Sequence, residues 1–335
     1  MLAAVHFRNF KALRSAAVKL EPFNLVIGPN GSGKTSLIQA LAELRTLSGL
    51  PVVHVSELRG RKPAGPQVEF HFRPPYQNVR VTIGCRADEL VCNLLVVDHE
   101  PGLPGVGQWA ELRTQLQAIR TYQFDHTAMA APALRTDGAE LAADAGKLAA
   151  VLARRRTRAP AALARLEADF CRILPEFAGL DFVPAAGKRV ELRARLTGAR
   201  ESIAADSLSQ GTLYLLAILT LAYAPEPPSL VCLEDADRGV HPRLLRAVRD
   251  ALYRLTYPAD AGETRAPVQV IATTHSPYLL ELFKDHPEEI VLAHKRGQAA
   301  TFTRLSERTD LVTLMQEAHL GDLWYSGILG GVPGE

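Results

Sequence analysis

The spacing of hydrophobic residues predicts a strand–loop–helix unit near the N-terminus. The apolar run 24–27 has the length of a strand buried on both faces, and it leads directly into a glycine-rich turn. Beyond the turn, apolar side chains recur at helical spacing, at Leu37, Ile38, Leu41 and Leu44. The stretches 2–10 and 17–20 that come before are typical of two strands joined by a turn.

The middle of the chain predicts an antiparallel β-layer followed by helices. Apolar and polar residues alternate over 68–72 and 79–83, and 90–97 follows as a third strand. A dense Pro/Gly cluster at 101–107 then breaks the chain. From Trp109 to Leu174 the pattern is helical and rich in alanine, and renewed alternation over 190–196 predicts one more strand.

The final third predicts two fully buried strands, 230–233 and 268–272, with helical periodicity between them over 244–252. The longest near-apolar run, Leu213 to Ala224, is shorter than the roughly 20 residues that a membrane-spanning helix needs. It predicts a buried helix, and no membrane contact is expected. Together these elements predict an α/β fold.

Composition and net charge limit the classes of function that this chain could have. Of 335 residues, 47% are hydrophobic and 22% charged, which supports a sizeable core and argues against global disorder. The net charge is only +2, so any contact with DNA has to come from a local patch. The dense basic run Arg154, Arg155, Arg156 and Arg158 is interpreted either as such a patch or as a solvated helix end.

The cysteines lack the spacing of zinc ligands and are expected to be reduced, with two of them in apolar strand-like runs: Cys85, Cys92, Cys171 and Cys232. No basic segment leads into a long apolar stretch at the N-terminus. A cytoplasmic location is therefore expected.

The segment 28–35, Gly-Pro-Asn-Gly-Ser-Gly-Lys-Thr, matches the P-loop pattern G-x-x-x-x-G-K-[ST] between a predicted strand and helix. Glycines let successive N–H groups surround phosphate oxygens, and the helix N-terminus adds a partial positive charge. Lys34 is expected to reach the β- and γ-phosphates of ATP, and Thr35 to ligate Mg²⁺. The alternative is a glycine-rich surface turn. The predicted nucleotide-binding residues of this segment are Asn30, Gly31, Ser32, Gly33, Lys34, Thr35 and Ser36.

Three further motifs carry candidate chemistry. The predicted strand 230–233 delivers Glu234 and Asp235 to its carboxyl end, where ligands bind in parallel α/β sheets. Glu234 is expected to hold Mg²⁺ through water, and Asp235 to accept a proton from the attacking water or to orient that water. The segment 207–211, Ser-Leu-Ser-Gln-Gly, opens the predicted apolar helix, and His275 ends the last apolar strand. The alternatives are helix caps for the acids and for the serine, and a structural or solvated histidine.

Together the motifs resemble the ABC/SMC superfamily, and within it the OLD- and RecF-like AAA ATPases. The segment 208–212, Leu-Ser-Gln-Gly-Thr, is similar to the ABC signature L-S-G-G-Q. The start 8–11, Arg-Asn-Phe-Lys, resembles the N-F-[KR] element of that branch, and 234–242 resembles its E-E-P-E-x-G-L-H-P stretch, with Asp235 at the base position. The turn 136–138, Thr-Asp-Gly, extends the resemblance.

The resemblance implies roles for particular residues. Ser209 and Gly211 would present a helix N-terminus and a hydroxyl to the γ-phosphate held by the other subunit of a homodimer. His275 would be the switch histidine that contacts the γ-phosphate, and Lys11 would approach the phosphates. Gln123 is the candidate for the weakly marked Q-loop, a further Mg²⁺ ligand.

The fold that the resemblance implies is a P-loop NTPase head of the ABC type with an antiparallel β-layer and an inserted helical lobe. Its expected parts are 1–107 (P-loop half and β-layer), 108–204 (helical lobe) and 205–335 (signature, acidic pair and switch). Coiled-coil arms and the appended nuclease of relatives are not expected.

Three functions stay open for such a head. It could hydrolyse ATP in DNA repair or in defence against foreign DNA, or act as a regulatory switch that gates a partner effector from a neighbouring gene. The third interpretation, the ATP-binding subunit of an ABC transporter, is weakened by the N-F-[KR] start, the His-Pro stretch and the weakly marked Q-loop.

Overall fold

The computed structural model describes residues 1–50, 53–54, 65–86, 92–99, 106–297 and 299–330. These residues form two units, each built from separate stretches of chain. The first unit comprises Met1–Thr121, Pro228–Glu234 and Pro267–Glu335, and the second comprises Tyr122–Pro227 and Asp235–Ala266. The division 1–107, 108–204 and 205–335 stays a prediction.

The strands are β1 Leu2–Phe10, β2 Leu13–Lys19, β3 Phe23–Ile27, β4 Val53–His54, β5 Gln67–Phe72, β6 Val79–Cys85, β7 Cys92–His99, β8 Ile119–Tyr122, β9 Ala133–Leu134, β10 Phe177–Ala185, β11 Arg189–Leu196, β12 Ser202–Ala204, β13 Leu230–Leu233, β14 Gln269–Thr274, β15 Ile290–Arg296 and β16 Ala299–Arg304. The helices are α1 Lys34–Ser48, α2 Val106–Gln117, α3 His126–Ala130, α4 Leu148–Arg158, α5 Pro160–Ile173, α6 Gln210–Ala222, α7 Leu245–Thr256, α8 Pro277–Glu281, α9 Leu311–Glu317 and α10 Leu320–Tyr325. The described part of the chain contains no helix long and apolar enough to cross a membrane.

A six-stranded sheet of order β16-β15-β3-β14-β13-β8 lies in the first unit. The neighbours β15, β3, β14 and β13 run parallel to one another. Every residue of β3, β13 and β14 is buried, as expected for parallel strands covered on both faces. Because the strands are parallel and in register, with Ile27 beside Thr274 and Leu233 beside Ala272, the segments that leave them start from one edge of the sheet.

The predicted antiparallel layer is confirmed as a second six-stranded sheet, of order β2-β1-β5-β6-β7-β4. The pairs β1–β5, β5–β6 and β6–β7 are antiparallel. Along β5 the buried residues Val68, Phe70 and Phe72 alternate with half-buried Gln67, Glu69 and His71. One face of this strand therefore packs into the core, and the other carries polar side chains.

The second unit contains the buried helix that the sequence predicts. In α6 every residue from Gly211 to Ala222 is buried. Helix α7 packs against α6, whereas α4 and α5 pack against the sheet β10-β11-β12.

The prediction of a helical pattern from Trp109 to Leu174 was wrong at two places, where the structure has strands. Ile119–Tyr122 is a strand, because its β-branched and aromatic residues fit the edge of the parallel sheet, beside β13. Between α3 and α4 the chain forms the short strand β9 and a turn, and α4 begins only at Leu148. The strands β10, β15 and β16 were not predicted.

The expectation of four reduced cysteines was also wrong, because Cys85 and Cys92 form a disulfide between neighbouring strands β6 and β7. Cys171 and Cys232 are free. Cys232 lies in β13, where burial raises the pKa of its thiol and the side chain acts as a small hydrophobe.

Candidate nucleotide-binding site

The P-loop connects β3 to α1, as the sequence predicts. Lys34 Nζ folds back on the loop and donates hydrogen bonds to the carbonyl oxygens of Gly28 at 2.7 Å and Pro29 at 3.0 Å. Among the residues that the structure describes, helix α1 has no side-chain cap at Gly33 and no acidic residue in its first turn. A helix end of this kind favours an anion.

Two glycines of the loop occupy positions that no other residue could fill. A Cβ on Gly28 would lie 2.3 Å from the carbonyl oxygen of Ala293 and 2.6 Å from Ser32 Oγ. Gly33 has φ +94°, in the left-handed region, and its Cβ would lie 2.7 Å from Leu13 Cδ2. The backbone is therefore closely packed where the motif requires glycine.

The buried hydroxyl of Ser32 tests whether the loop fits a phosphate group. Its Oγ is buried and has no hydrogen-bond partner among the residues that the structure describes. A buried polar atom without a partner is costly, and most such atoms in proteins are bonded to a ligand, water or protein group. A phosphate oxygen would supply the acceptor, so this loop fits the nucleotide that its sequence predicts.

Two of the three residues predicted to hold magnesium, Thr35 and Glu234, meet in the first unit. The hydroxyl of Thr35 donates a hydrogen bond to Glu234 Oε1, although the residues are far apart in sequence. Glu234 follows directly after β13, and β14 alone separates β13 from β3 in the sheet. A hydroxyl and a carboxylate are oxygen donors that suit Mg²⁺, so the pair fits the metal.

Asp235, the predicted catalytic base, belongs to the second unit. Its φ is +50°, in the left-handed region that most residues avoid. Such conformations cost free energy and cluster at functional sites.

His275 and Lys11 occupy exposed positions in the first unit. His275 follows β14 directly and therefore lies at the same sheet edge as the P-loop and Glu234. Lys11 has φ +52°, and its Nζ donates a hydrogen bond to Gln39, one helical turn beyond Thr35 in α1.

The structure adds a residue that the motifs missed. Lys295 Nζ lies 3.3 Å from the point that a Cβ on Gly31, at the tip of the P-loop, would occupy. Lys295 is in β15, which pairs with β3 up to Ile27, the residue before the loop. A prediction of strand β15 from the sequence would have pointed to Lys295. Because β15 pairs with β3 in parallel, the carboxyl end of β15 lies beside the P-loop.

The signature residues lie in the second unit. Ser209 caps α6, with its Oγ accepting a hydrogen bond from the N–H of Thr212 at 3.1 Å. A Cβ on Gly211 would lie 2.7 Å from the carbonyl oxygen of Gly239, so only glycine fits. Gln123, also in this unit, is exposed and its N–H donates to the carbonyl of Ala143 at 2.9 Å.

The basic run is not a uniform solvated patch. Arg155 donates to the carbonyl of Thr220 at 2.6 Å, and burial lowers the pKa of its guanidinium to about 10. Arg156 donates to the carbonyl of Leu180 at 2.6 Å and lies 4.4 Å from the centroid of the Phe182 ring. Two of the four arginines therefore already bind carbonyl groups of this chain.

Comparison with known protein families finds two matching segments. Residues 115–281 match the family model described as "AAA domain, putative AbiEii toxin, Type IV TA system", and residues 1–51 match that described as "AAA ATPase domain". No match was found among curated protein sequences.

Solved Smc head domains share the fold. An Smc head bound to the C-winged helix domain of ScpA aligns with a TM-score of 0.59 at 14% identity, over 90% of this chain and 96% of that one. An Smc head with an extended coiled coil, bound to the C-terminal domain of ScpA and derived from Pyrococcus furiosus, gives 0.56 at 12% identity, over 94% and 99%. An Smc head with a coiled coil and joint from Pyrococcus yayanosii gives 0.55 at 10% identity, over 94% and 99%.

The fold is therefore that of an SMC/ABC-type ATPase head, a P-loop NTPase with an antiparallel and a largely parallel sheet. Its sequence carries two segments that match AAA-family ATPase domains.

Proposed function

We propose that this chain binds and hydrolyses ATP with Mg²⁺, and that two copies close as a homodimer around two nucleotides. The proposal rests on one observation: the predicted phosphate-binding and magnesium-binding groups follow three neighbouring parallel strands and so lie at one edge of the sheet. The P-loop follows β3, Glu234 follows β13 and His275 follows β14, and the hydroxyl of Thr35 is bonded to Glu234. Convergence of these groups at the carboxyl edge of a parallel sheet is the arrangement in which α/β proteins bind ligands.

The loop residues would bind the triphosphate. Lys34 would exchange its two carbonyl partners for the β- and γ-phosphates, and the free hydroxyl of Ser32 would donate to a phosphate oxygen. Lys11 would approach the phosphates, and the rest of the cradle would come from backbone and side-chain donors of Asn30, Gly31, Gly33 and Ser36.

Thr35 and Glu234 would hold Mg²⁺, with Gln123 as a third candidate ligand. The ion would neutralise charge on the phosphate oxygens. Asp235 would accept a proton from the attacking water, and His275 would contact the γ-phosphate. Ser209 and Gly211 of the second copy would close over that phosphate, which is why hydrolysis should need a dimer.

We further propose that the head belongs to the OLD- and RecF-like branch and serves DNA repair or defence against foreign DNA. The family model that matches residues 115–281 is described as "putative AbiEii toxin, Type IV TA system", and that description supports a setting in defence. The second candidate is a regulatory switch that gates a partner effector. It is supported by two of the solved Smc heads, which are bound to domains of ScpA, and by Arg155 and Arg156, which already bind carbonyl groups of this chain.

The test is the replacement Asp235→Asn. The variant should bind ATP–Mg²⁺ with normal affinity, hydrolyse it about 100-fold or more slowly, and accumulate as a dimer. ATPase turnover and light-scattering mass after gel filtration measure both effects. The matched control Asp260→Asn, at an exposed turn of the same unit, should behave like the wild type. Wild-type turnover in Asp235→Asn would exclude this residue as the base, and a monomer at saturating ATP would argue against the homodimer.

A further inference from the structure

A cluster of metal-ligating side chains lies outside the nucleotide site, on the polar face of the antiparallel layer. His6 in β1 is directly opposite Glu69 in β5, so their side chains share a face. His71 follows Glu69 by two residues, and the period of a strand brings it to the same face. The candidate ligand atoms of the three residues all lie within 4.8 Å of one another.

The contacts within the cluster show that the side chains already converge. His71 Nε2 and Glu69 Oε1 are 2.7 Å apart, and the imidazole rings of His6 and His71 have centroids 4.7 Å apart. None of the three is buried, so an ion could reach them from solvent. The backbone that carries them is held on both sides, since β1 lies between β2 and β5, and β5 lies between β1 and β6.

The donor set is the one that zinc uses in open sites. Zinc binds imidazole nitrogen and carboxylate oxygen at about 2.0–2.2 Å, with three protein ligands and water in a tetrahedron. Ligand atoms in such a tetrahedron are about 3.3 Å apart. Small side-chain rotations that move the ligand atoms by about 1 Å would therefore bring this cluster to the required geometry. Mg²⁺ and Ca²⁺ prefer oxygen ligands and would bind poorly to two imidazoles.

One neighbouring charge opposes binding. Arg80, which lies opposite His71 in β6, places its Nε 3.5 Å from Glu69 Oε1. It competes with a cation for the carboxylate and repels that cation. The affinity for metal should therefore increase when Arg80 loses its charge.

We propose that His6, Glu69 and His71 bind one Zn²⁺ ion, with water in the fourth position. The site uses none of the residues of the proposed nucleotide site and does not depend on that function.

The test uses the full-length, untagged chain, stripped with a chelator and desalted, and free of nucleotide and magnesium. Zinc chloride is titrated against a chromophoric chelator, and far-UV circular dichroism checks the fold of each variant. The wild type should bind one equivalent with micromolar affinity or better. Glu69→Gln and His71→Ala should each weaken that equivalent tenfold or more, whereas Arg80→Gln should strengthen it several-fold.

The matched control is His286→Ala, which removes a histidine that also lies beside a carboxylate, with Nδ1 3.0 Å from Glu288 Oε1. That pair belongs to no group of three metal-ligating side chains among the described residues, so the control should bind zinc like the wild type. The proposal is overturned if folded Glu69→Gln and His71→Ala bind zinc as the wild type does. It is also overturned if Arg80→Gln binds more weakly.

Discussion

Replacing Lys34 by methionine would separate the charge of the P-loop lysine from its packing. The side chain of Lys34 is buried, with 7% of the residue exposed, and only its ammonium reaches the carbonyls of Gly28 and Pro29. Methionine has a similar unbranched length, so Lys34→Met keeps most of the buried contacts and removes the ammonium.

The expected loss follows from the strength of a charged hydrogen bond. Such bonds contribute about 1.5–3 kcal/mol, and each 1.4 kcal/mol changes a dissociation constant tenfold. The ammonium must leave two loop carbonyls to reach phosphate, so part of its contribution exists already without nucleotide. We therefore expect the lower part of that range, which corresponds to ATP binding weakened by about 10- to 30-fold.

Isothermal titration with a non-hydrolysable ATP analogue and Mg²⁺ measures the effect. Lys284→Met, an exposed lysine 3.9 Å from Glu281, is the control and should bind like the wild type. Thermal unfolding without nucleotide reports separately on the two lost loop bonds. A dissociation constant for Lys34→Met within twofold of the wild type, in a folded protein, would refute the assignment of this loop to phosphate binding.

Two further predictions follow from the position of basic side chains. Lys295→Ala should weaken binding of the same ATP analogue a few-fold without lowering the unfolding temperature, because Lys295 is exposed beside Gly31; equal affinity in the variant would exclude it from the site. If the basic run contacts DNA, the exposed residues Arg154 and Arg158 should carry the contact, because Arg156, although exposed, is already bonded to the carbonyl of Leu180. Replacing both with alanine should then reduce the slope of log affinity for duplex against log salt by about 0.9 per lost phosphate contact, with Arg155 and Arg156 left intact to preserve the fold. No duplex binding by the wild type at low salt with ATP present would favour the partner switch.

Predictions from the sequence succeeded where periodicity and a motif point to the same element. The run 24–27 lies in β3, as predicted, because a short and mostly apolar strand that ends in a glycine-rich turn has few alternatives. Ile119 was assigned to a helix because helical spacing from Leu116 continues to it, yet its place beside β13 is decided by pairing across the chain. Local pattern contains no information about that pairing.

Prediction of the candidate site was limited in the same way, because local pattern does not show which distant residues meet. Lys34, Thr35 and Glu234 could be named because each stands in a motif, and the structure brings Thr35 and Glu234 into contact. Lys295 was not named, because it stands in no motif and comes to the loop through the pairing of β15, a strand that was not predicted, with β3. The cluster of His6, Glu69 and His71 likewise depends on the register between β1 and β5.

The order of strands in the parallel sheet has a consequence for synthesis of the protein on the ribosome. The strand that leads into the P-loop, β3, ends at Ile27, but its two partners begin only at Gln269 and Ile290. A nascent chain therefore exposes β3 without its partners through most of translation, and pairing over such separations is slow. Exposed apolar strands of this kind promote aggregation, so efficient production of this protein should depend on chaperones that protect the N-terminal part until the last third has emerged.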